Sequence, residues 1–136
     1  MGQNAKTVES FYAAMGRGDI PSALGILDPN VIWNEAEGFV YADKSPYIGV
    51  DAVLTGLFAR LGGEWDGFAA VPAEIVDGGE TVVALGRYGG TYKATGVKVD
   101  AQYVHVFRFK NGKVASFQQY TDTLQFKNAA SLRANA

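Results

Sequence analysis

The chain has 136 residues, of which 48% are apolar and 19% charged, and its formal net charge is −2. This composition is typical of one folded domain spanning 1–136 and excludes a disordered chain, and so small a charge favours neither nucleic acid nor an anionic membrane as a partner. The absence of cysteine excludes disulfides and thiolate metal sites, and a single histidine excludes a multi-histidine metal site within one chain.

The sequence shows no sign of export or of membrane insertion. No apolar run approaches the roughly 18 residues of a spanning helix. The first 15 residues, MGQNAKTVESFYAAM, lack the apolar core of a signal peptide. We therefore expect a cytoplasmic protein without a membrane partner.

Apolar spacing and capping residues predict two helices at the start of the chain. In the segment 6–15, KTVESFYAAM, apolar residues recur every three or four positions, as in an amphipathic helix, and Gly16 should end it. Asp19 is placed to cap a short second helix with Pro21 in its first turn. Asp28-Pro29 should stop that helix.

A strand and a third helix complete the first half of the chain. The strand is NVIWNEAE, residues 30–37. The helix is DAVLTGLFAR, which should begin near Asp51 and end at Gly62-Gly63.

The second half predicts an antiparallel sheet. Its expected strands are Phe68–Asp77, Thr81–Tyr92, Val99–Lys110 and Lys113–Thr123. Asn111-Gly112 is the strongest hairpin signal, because both residues of such a turn adopt positive φ. Gly86, Gly89 and Gly90 indicate bulges or a bend, and the tail 127–136 is expected to fray. Helices followed by long strands favour an α+β fold, with a pocket at the open end of the bent sheet.

Two titratable residues share strand faces with apolar side chains. His105, the only histidine, lies on the same face as Tyr103 and Phe107. Glu35 shares a face with Trp33, where burial would raise its pKa and favour proton transfer. Each residue also has a simpler interpretation: Glu35 as a solvated carboxylate at a strand end, and His105 as a core or surface histidine.

Two further charged residues have open interpretations. Arg87 lies in the middle of a predicted strand, where it either pairs with a carboxylate in the pocket or reaches solvent. Asp122 follows the last strand and is either a pocket acid or a solvated residue at the strand end.

Three segments carry a resemblance to a known family: GDIPSALGILDPNVIWNEAE (18–37), YIGVDAVLTGLF (47–58) and VHVFRFKNGKVASFQQYTDT (104–123). They resemble SnoaL-like proteins, which belong with the ketosteroid isomerases in the nuclear-transport-factor-2-like superfamily, over about residues 5–125. The resemblance implies a cone: a strongly curved mixed or antiparallel sheet packed on three N-terminal helices. Such a cone encloses an apolar pocket and commonly dimerises through the sheet.

The resemblance also implies roles for individual residues. An ungapped count from the GDI segment places Glu35 at the family's general-base aspartate, and His105 stands at the place of its oxyanion-hole aspartate. The family's oxyanion-hole tyrosine falls on Phe11, with Tyr12 next to it. In SnoaL-like polyketide cyclases a pocket aspartate near the end of the last strand serves as acid and base, and Asp122 lies near that place.

These interpretations favour a cofactor-independent isomerase, cyclase or lyase acting on a small, mostly apolar carbonyl compound. Glu35 or Asp122 would move a proton on the carbon next to the carbonyl, and His105 would donate to the oxygen as enolate charge develops. The residues expected to contact the ligand are Tyr12, Trp33, Phe58, Arg87, Tyr103 and Phe107. Two alternatives stay open: a non-catalytic module that binds an apolar ligand, and a dimeric interaction domain with a vestigial pocket.

A homodimer through the sheet is also expected. The strands of the second half alternate too little to leave a fully solvated outer face, and a large apolar patch usually marks an interface. The residues expected on that surface are Val82, Ala84, Val104, Val106, Ala115 and Phe117.

Overall fold

A computed structural model describes residues 1–131 of the chain, which begin with the predicted amphipathic helix. This helix, α1, spans Gln3–Gly16. Its apolar stripe buries Val8, Phe11 and Tyr12, and the helix packs against the sheet. The spacing of three and four residues therefore predicted the buried face correctly.

The second helix, α2, spans Ile20–Leu24 and is shorter than predicted. Asp19 caps it as expected, because its carboxylate accepts a hydrogen bond from the Ser22 N–H at 3.2 Å. The expected end at Asp28-Pro29 is wrong, since both residues already belong to the first strand, β1, at Leu27–Asn34.

The third helix is confirmed, but it changes its winding along its length. It consists of α3 at Val50–Val53, a π-helical segment at Leu54–Phe58, and α4 at Ala59–Glu64. Gly56 lies in the π-helical segment against the ring of Tyr47, where an added Cβ would stand 2.7 Å from a ring carbon. Single π-turns are frequent at functional sites, and this one brings Leu57 and Phe58 to the interior.

Six strands form one curled, open sheet. Besides β1 they are β2 at Tyr47–Ile48, β3 at Trp65–Gly78, β4 at Thr81–Tyr92, β5 at Lys98–Lys110 and β6 at Lys113–Thr121. The order across the sheet is β2-β1-β6-β5-β4-β3. Only β1 and β6 run parallel among these pairs, so the sheet is mixed and the α+β prediction is confirmed.

Two glycine-containing sites shape the sheet as the sequence predicted. Asn111 and Gly112 both have positive φ, 52° and 79°, in the tight turn between β5 and β6. Gly86 lies opposite a register shift in β3, where a Cβ would stand 2.2 Å from the Val71 carbonyl oxygen and 2.7 Å from the Tyr103 hydroxyl. Only glycine allows this close approach, which accompanies the bulge.

A C-terminal helix, α5 at Thr123–Ser131, was not predicted. It buries Phe126 and Ala129 completely, and Phe126 packs edge-on against Phe39 at 4.9 Å. The expectation of a frayed tail over 127–136 is therefore wrong for 127–131, and its remainder lies outside the described residues. None of the helices in this part of the chain is long and apolar enough to cross a membrane.

The outer face of the sheet is apolar near its centre, but its composition differs from the prediction. Val82, Ala84 and Phe117 belong to the inner core, because even positions of β4 face the helices, as do odd positions of β6 beyond its register shift between Val114 and Ser116. Val104 and Val106 do face outward and are half-buried. On β4, the strand between β5 and β3, the outward residues are Val83 and Leu85, which are also half-buried.

Candidate functional site

The inner face of the sheet, α1 and the third helix enclose a cavity of about 670 Å³. This volume lies in the range of small-molecule sites, which are mostly apolar with a few placed polar groups. The aromatic residues of its wall are Phe11, Tyr12, Trp33, Phe39, Phe58, Phe68, Tyr88 and Phe117. The polar side chains at its inner end come from Glu35, His105 and Gln119. Glu35, Trp33 and His105 therefore line one common space, as strand parity predicted.

Glu35 is the buried acid of this cavity. It follows β1 directly, is only 7% exposed, and its backbone N–H donates to Ser45 Oγ at 3.0 Å. Burial raises the pKa of the Glu35 carboxyl to about 8. The indole of Trp33 opposes that rise, although its N–H has no hydrogen-bond partner of good geometry among residues 1–131. The carboxyl is therefore mainly protonated near pH 7, with a minor ionised fraction.

A second, polar cleft lies behind Glu35. It has a volume of about 800 Å³, and Glu35 is the one described residue that lines both this cleft and the inner cavity. Its polar wall is built from Asn34, Glu37, Ser45, Gln118, Thr121 and Thr123. Glu35 thus lies between the aromatic cavity and the polar cleft.

Both ring nitrogens of His105 are occupied by tyrosine hydroxyls. Nδ1 lies 2.6 Å from the hydroxyl of Tyr12, and Nε2 lies 2.5 Å from that of Tyr88. Gln119 donates to the Tyr88 hydroxyl at 2.8 Å. Burial lowers the pKa of His105 to about 3, so the ring is neutral. The expected direct donation from His105 to a substrate oxygen is therefore wrong, because neither nitrogen is free.

The sequence did not single out Tyr88 or Gln119. Both lie at positions that face inward, Tyr88 on β4 and Gln119 two residues beyond the buried Phe117 on β6. Strand parity was the available signal, but the sequence prediction placed Val82 and Ala84, which share a face of β4 with Tyr88, on the outer surface.

Tyr103 and Phe107 lie behind the cavity wall. Both are buried on the inner face of β5, yet neither lines the cavity. The Tyr103 ring stacks on the His105 ring at 4.0 Å, and its hydroxyl has no hydrogen-bond partner within the described chain. Tyr103 therefore supports the histidine and not the ligand.

Arg87 and Asp122 do not reach the cavity, so their expected places in the pocket are wrong. Arg87 alternates with the inward Tyr88, projects outward, and pairs with Asp100 at 2.7 Å on the surface. Asp122 is exposed and stands just before α5, where it accepts hydrogen bonds from Gln125. It caps a helix that the sequence did not predict, which explains its orientation away from the pocket.

Comparison with known proteins identifies the family. The model of the SnoaL-like domain matches residues 8–117. The chain belongs to the SnoaL-like family. A nuclear-transport-factor-2-like protein from Burkholderia thailandensis E264 is 36% identical, with a TM-score of 0.91 over 97% of this chain and 100% of that one. Comparison with curated proteins gave no match.

Two more distant structures share the fold of this SnoaL-like chain. A protein from Catenulispora acidiphila DSM 44928 with a ketosteroid isomerase-like fold, crystallised with trimethylamine, is 15% identical at a TM-score of 0.77, over 96% of this chain and 95% of that one. A candidate SnoaL-like polyketide cyclase from Jannaschia sp. CCS1 is 20% identical at a TM-score of 0.80, over 95% and 92% of the two chains. The predicted family and fold are confirmed.

Proposed function

We propose that this SnoaL-like protein is a cofactor-independent enzyme that moves a proton next to the carbonyl of a small, mostly apolar compound. The observation that carries the proposal is Glu35, a buried carboxyl with a pKa of about 8 in the wall of an aromatic cavity. A catalytic acid or base works best when its pKa lies near the working pH. The reaction classes that use such a step include isomerisation, cyclisation and the eliminations that lyases catalyse.

The cavity supports this chemistry by its shape and its mostly apolar wall. Trp33 stacks on Phe117 at 3.7 Å and meets Phe58 edge-on at 5.7 Å, which gives a flat, rigid wall beside the carboxyl. A planar apolar ligand would pack against this wall, and its burial would remove water from the reacting carbon. Ketosteroid isomerisation depends on the same combination of a carboxylate base, an apolar site and a donor to the oxygen.

Glu35 must also exchange its proton with solvent between turnovers. The polar cleft behind it supplies a route, because Glu35 lines the cleft as well as the cavity. A bound substrate would block the access of solvent to Glu35 through the cavity, whereas the cleft would stay open to solvent. The proton would then leave through the cleft lined by Ser45 and Gln118.

Hydrogen–deuterium exchange of a probe ketone tests the proposal. Wild-type protein in D₂O should accelerate exchange at the carbon next to the carbonyl across a panel of apolar cyclic ketones, which proton NMR measures. Glu35→Gln should slow that exchange by roughly 10²- to 10⁴-fold, the usual contribution of a general acid or base. Glu37→Gln is the matched control, since Glu37 is exposed and lines only the outer cleft. Equal rates in wild type and Glu35→Gln would contradict the proposal.

A binding module is the second candidate function. It is favoured by the mostly apolar wall and by the engagement of both His105 nitrogens, which leaves the ring no free site for chemistry. In that case Glu35→Gln would leave ligand retention unchanged, whereas Trp33→Ala would weaken it. A co-purified ligand identified by mass spectrometry, retained without turnover, would establish this function.

A further inference from the structure

The charged side chains of the cavity wall all have the same sign. Glu35 lies at the inner end, and Glu9 on α1 and Glu74 on β3 are exposed where these two elements flank the opening. No lysine or arginine side chain lines the cavity in the described part of the chain. The wall therefore repels anionic ligands and attracts cationic ones.

The Glu35 carboxyl is buried without a cation beside it. It is 7% exposed, and among residues 1–131 its oxygens are approached only by the poorly aligned N–H of Trp33. A carboxylate in such a place is favourable only when a cation or several donors replace its lost hydration. The ion pairs of the described residues all lie elsewhere, at Arg17–Asp19, Arg60–Asp43 and Arg87–Asp100. A cation for Glu35 must therefore come with the ligand.

The aromatic rings beside Glu35 suit a cation that carries apolar groups. The ring centroid of Trp33 lies 5.7 Å from that of Phe58 and 6.2 Å from that of Phe11, and all three residues line the cavity. The faces of aromatic rings attract ammonium ions, tryptophan most strongly, and aromatic sites recognise quaternary ammonium groups in this way. Alkyl or aryl substituents on the nitrogen would pack against the same apolar wall.

We infer that the cavity binds an organic ammonium ion with apolar substituents, whose charge lies between the Glu35 carboxylate and the rings of Trp33 and Phe58. The inference uses Glu35 only as a counter-ion, so it stands independently of the proposed proton transfer. It makes the sign of the ligand's charge a determinant of specificity. Ligands that carry a carboxylate or a phosphate are excluded by the same wall.

Binding of a cation should release a proton from the protein. Burial raises the pKa of the Glu35 carboxyl to about 8, so roughly nine tenths of it is protonated at pH 7, whereas the ion pair requires the carboxylate. The other titratable groups around it keep one state between pH 6 and 9. Burial lowers the pKa of His105 to about 3, and burial raises the pKa of Tyr12, Tyr47 and Tyr88 above the ordinary value. The released proton therefore comes from Glu35.

Benzyltrimethylammonium tests the site, because this cation has no proton to give or to take. Calorimetry at pH 7, in buffers of different ionisation enthalpy, should show one bound cation and about 0.9 proton released. Its affinity should rise about fivefold from pH 7 to 8 and less than about twofold from pH 8 to 9, following the ionised fraction of Glu35. Phenylacetate, an anion of similar size, should not bind. Absence of binding by the cation, or binding without proton release at pH 7, would overturn the inference.

Three variants locate the charge of the bound cation. Glu35→Gln should abolish the proton release and weaken binding at pH 9 by roughly 30-fold or more, because one partner of a buried charge pair is lost. Glu37→Gln is the matched control and should change neither, since Glu37 is exposed and lines only the outer cleft. Phe58→Leu keeps an apolar wall without the ring, and should weaken binding by roughly 2- to 30-fold with the proton release unchanged. Undiminished proton release in Glu35→Gln, or undiminished affinity in Phe58→Leu, would contradict the assigned position of the charge.

Ketone exchange separates this inference from the proposed function. If both hold, benzyltrimethylammonium should inhibit the exchange in competition with the ketone, because both ligands need Glu35. Binding of the cation with proton release, in a protein that does not accelerate exchange, would refute the proposed function alone. Exchange that depends on Glu35, in a protein that binds no cation, would refute this inference alone.

Discussion

The hydroxyl of Tyr88 lies 2.5 Å from Nε2 of His105, the only histidine of this chain, whose pKa burial lowers to about 3. Tyr12 closes the other side of the ring, so both nitrogens are satisfied without a positive charge. A charged imidazolium would need an acceptor on each side and would have to be desolvated. The pair therefore explains why an apolar strand carries a histidine.

His105 should not titrate near its ordinary pKa. Its ring ¹⁵N shifts should stay constant from pH 8 down to about pH 4, because burial lowers its pKa to about 3. The stability contributed by the neutral ring is present above the unfolded pKa of 6.5 and is lost as pH falls through about 3. A titration midpoint near 6.5 in the folded protein would show a solvated ring.

Glu35 should make the protein less stable as pH rises. The folded carboxyl keeps its proton up to about pH 8, whereas the unfolded one releases it near 4.5. Its stabilising contribution is therefore present below about pH 4.5 and is lost as pH rises through 8. Within that window the free energy of unfolding of wild type should fall, relative to Glu35→Gln, by about 1.4 kcal/mol per pH unit. If the free energies of unfolding of the two proteins, measured with urea at each pH, changed in parallel with pH, Glu35 would be solvated in the folded protein.

Two glycines of the third helix should respond to alanine in opposite ways. At Gly56 a Cβ would stand 2.7 Å from the Tyr47 ring, so Gly56→Ala should destabilise the fold by about 1–3 kcal/mol. At Gly62, in α4, a Cβ meets nothing within 4 Å, so Gly62→Ala should stabilise it by roughly 0.5–1 kcal/mol. Thermal unfolding measures both. Equal effects would mean that the π-helical segment is not packed against Tyr47.

We propose that the outer face of the sheet holds two copies of the chain together. The half-buried Val83, Leu85, Val104 and Val106 lie there, next to Tyr120, which is 57% exposed. Sedimentation at micromolar concentration should give twice the chain mass of 14.5 kDa, and Val106→Glu should give the single-chain mass. Leu124→Glu, an exposed position on α5, is the control and should stay dimeric. A wild-type mass of one chain would reject the dimer.

Local periodicity predicted much of this fold because it records which face of each element is buried. The spacing in α1 identified Val8, Phe11 and Tyr12, and the alternation around Trp33 and His105 placed both side chains inside the sheet. A period of 3.6 or 2 is a property of neighbouring residues, so one sequence contains it. The resemblance of three segments to SnoaL-like proteins supplied the curved architecture that periodicity alone does not determine.

The missed features depend on contacts between distant residues. Tyr12 and His105 are 93 positions apart, and only the assembled sheet shows that their side chains meet. Local pattern placed Asp122 at the end of a strand, but packing of Phe126 favours a helix there and makes the aspartate its cap. Arg87 alternates with Tyr88, and the pairing of β4 with β5 decides which of the two faces inward, because it sets Tyr88 opposite the buried Ala101.

The pH dependence of ketone exchange tests the central claim most directly. If the ionised Glu35 removes the proton, the exchange rate catalysed by wild type should rise with pH and level off above about 8, following the folded pKa of this carboxyl. Glu35→Gln should lose that rise, and Glu37→Gln should keep it. A rate that levels off near pH 4.5, or a profile that Glu35→Gln leaves intact, would contradict the account.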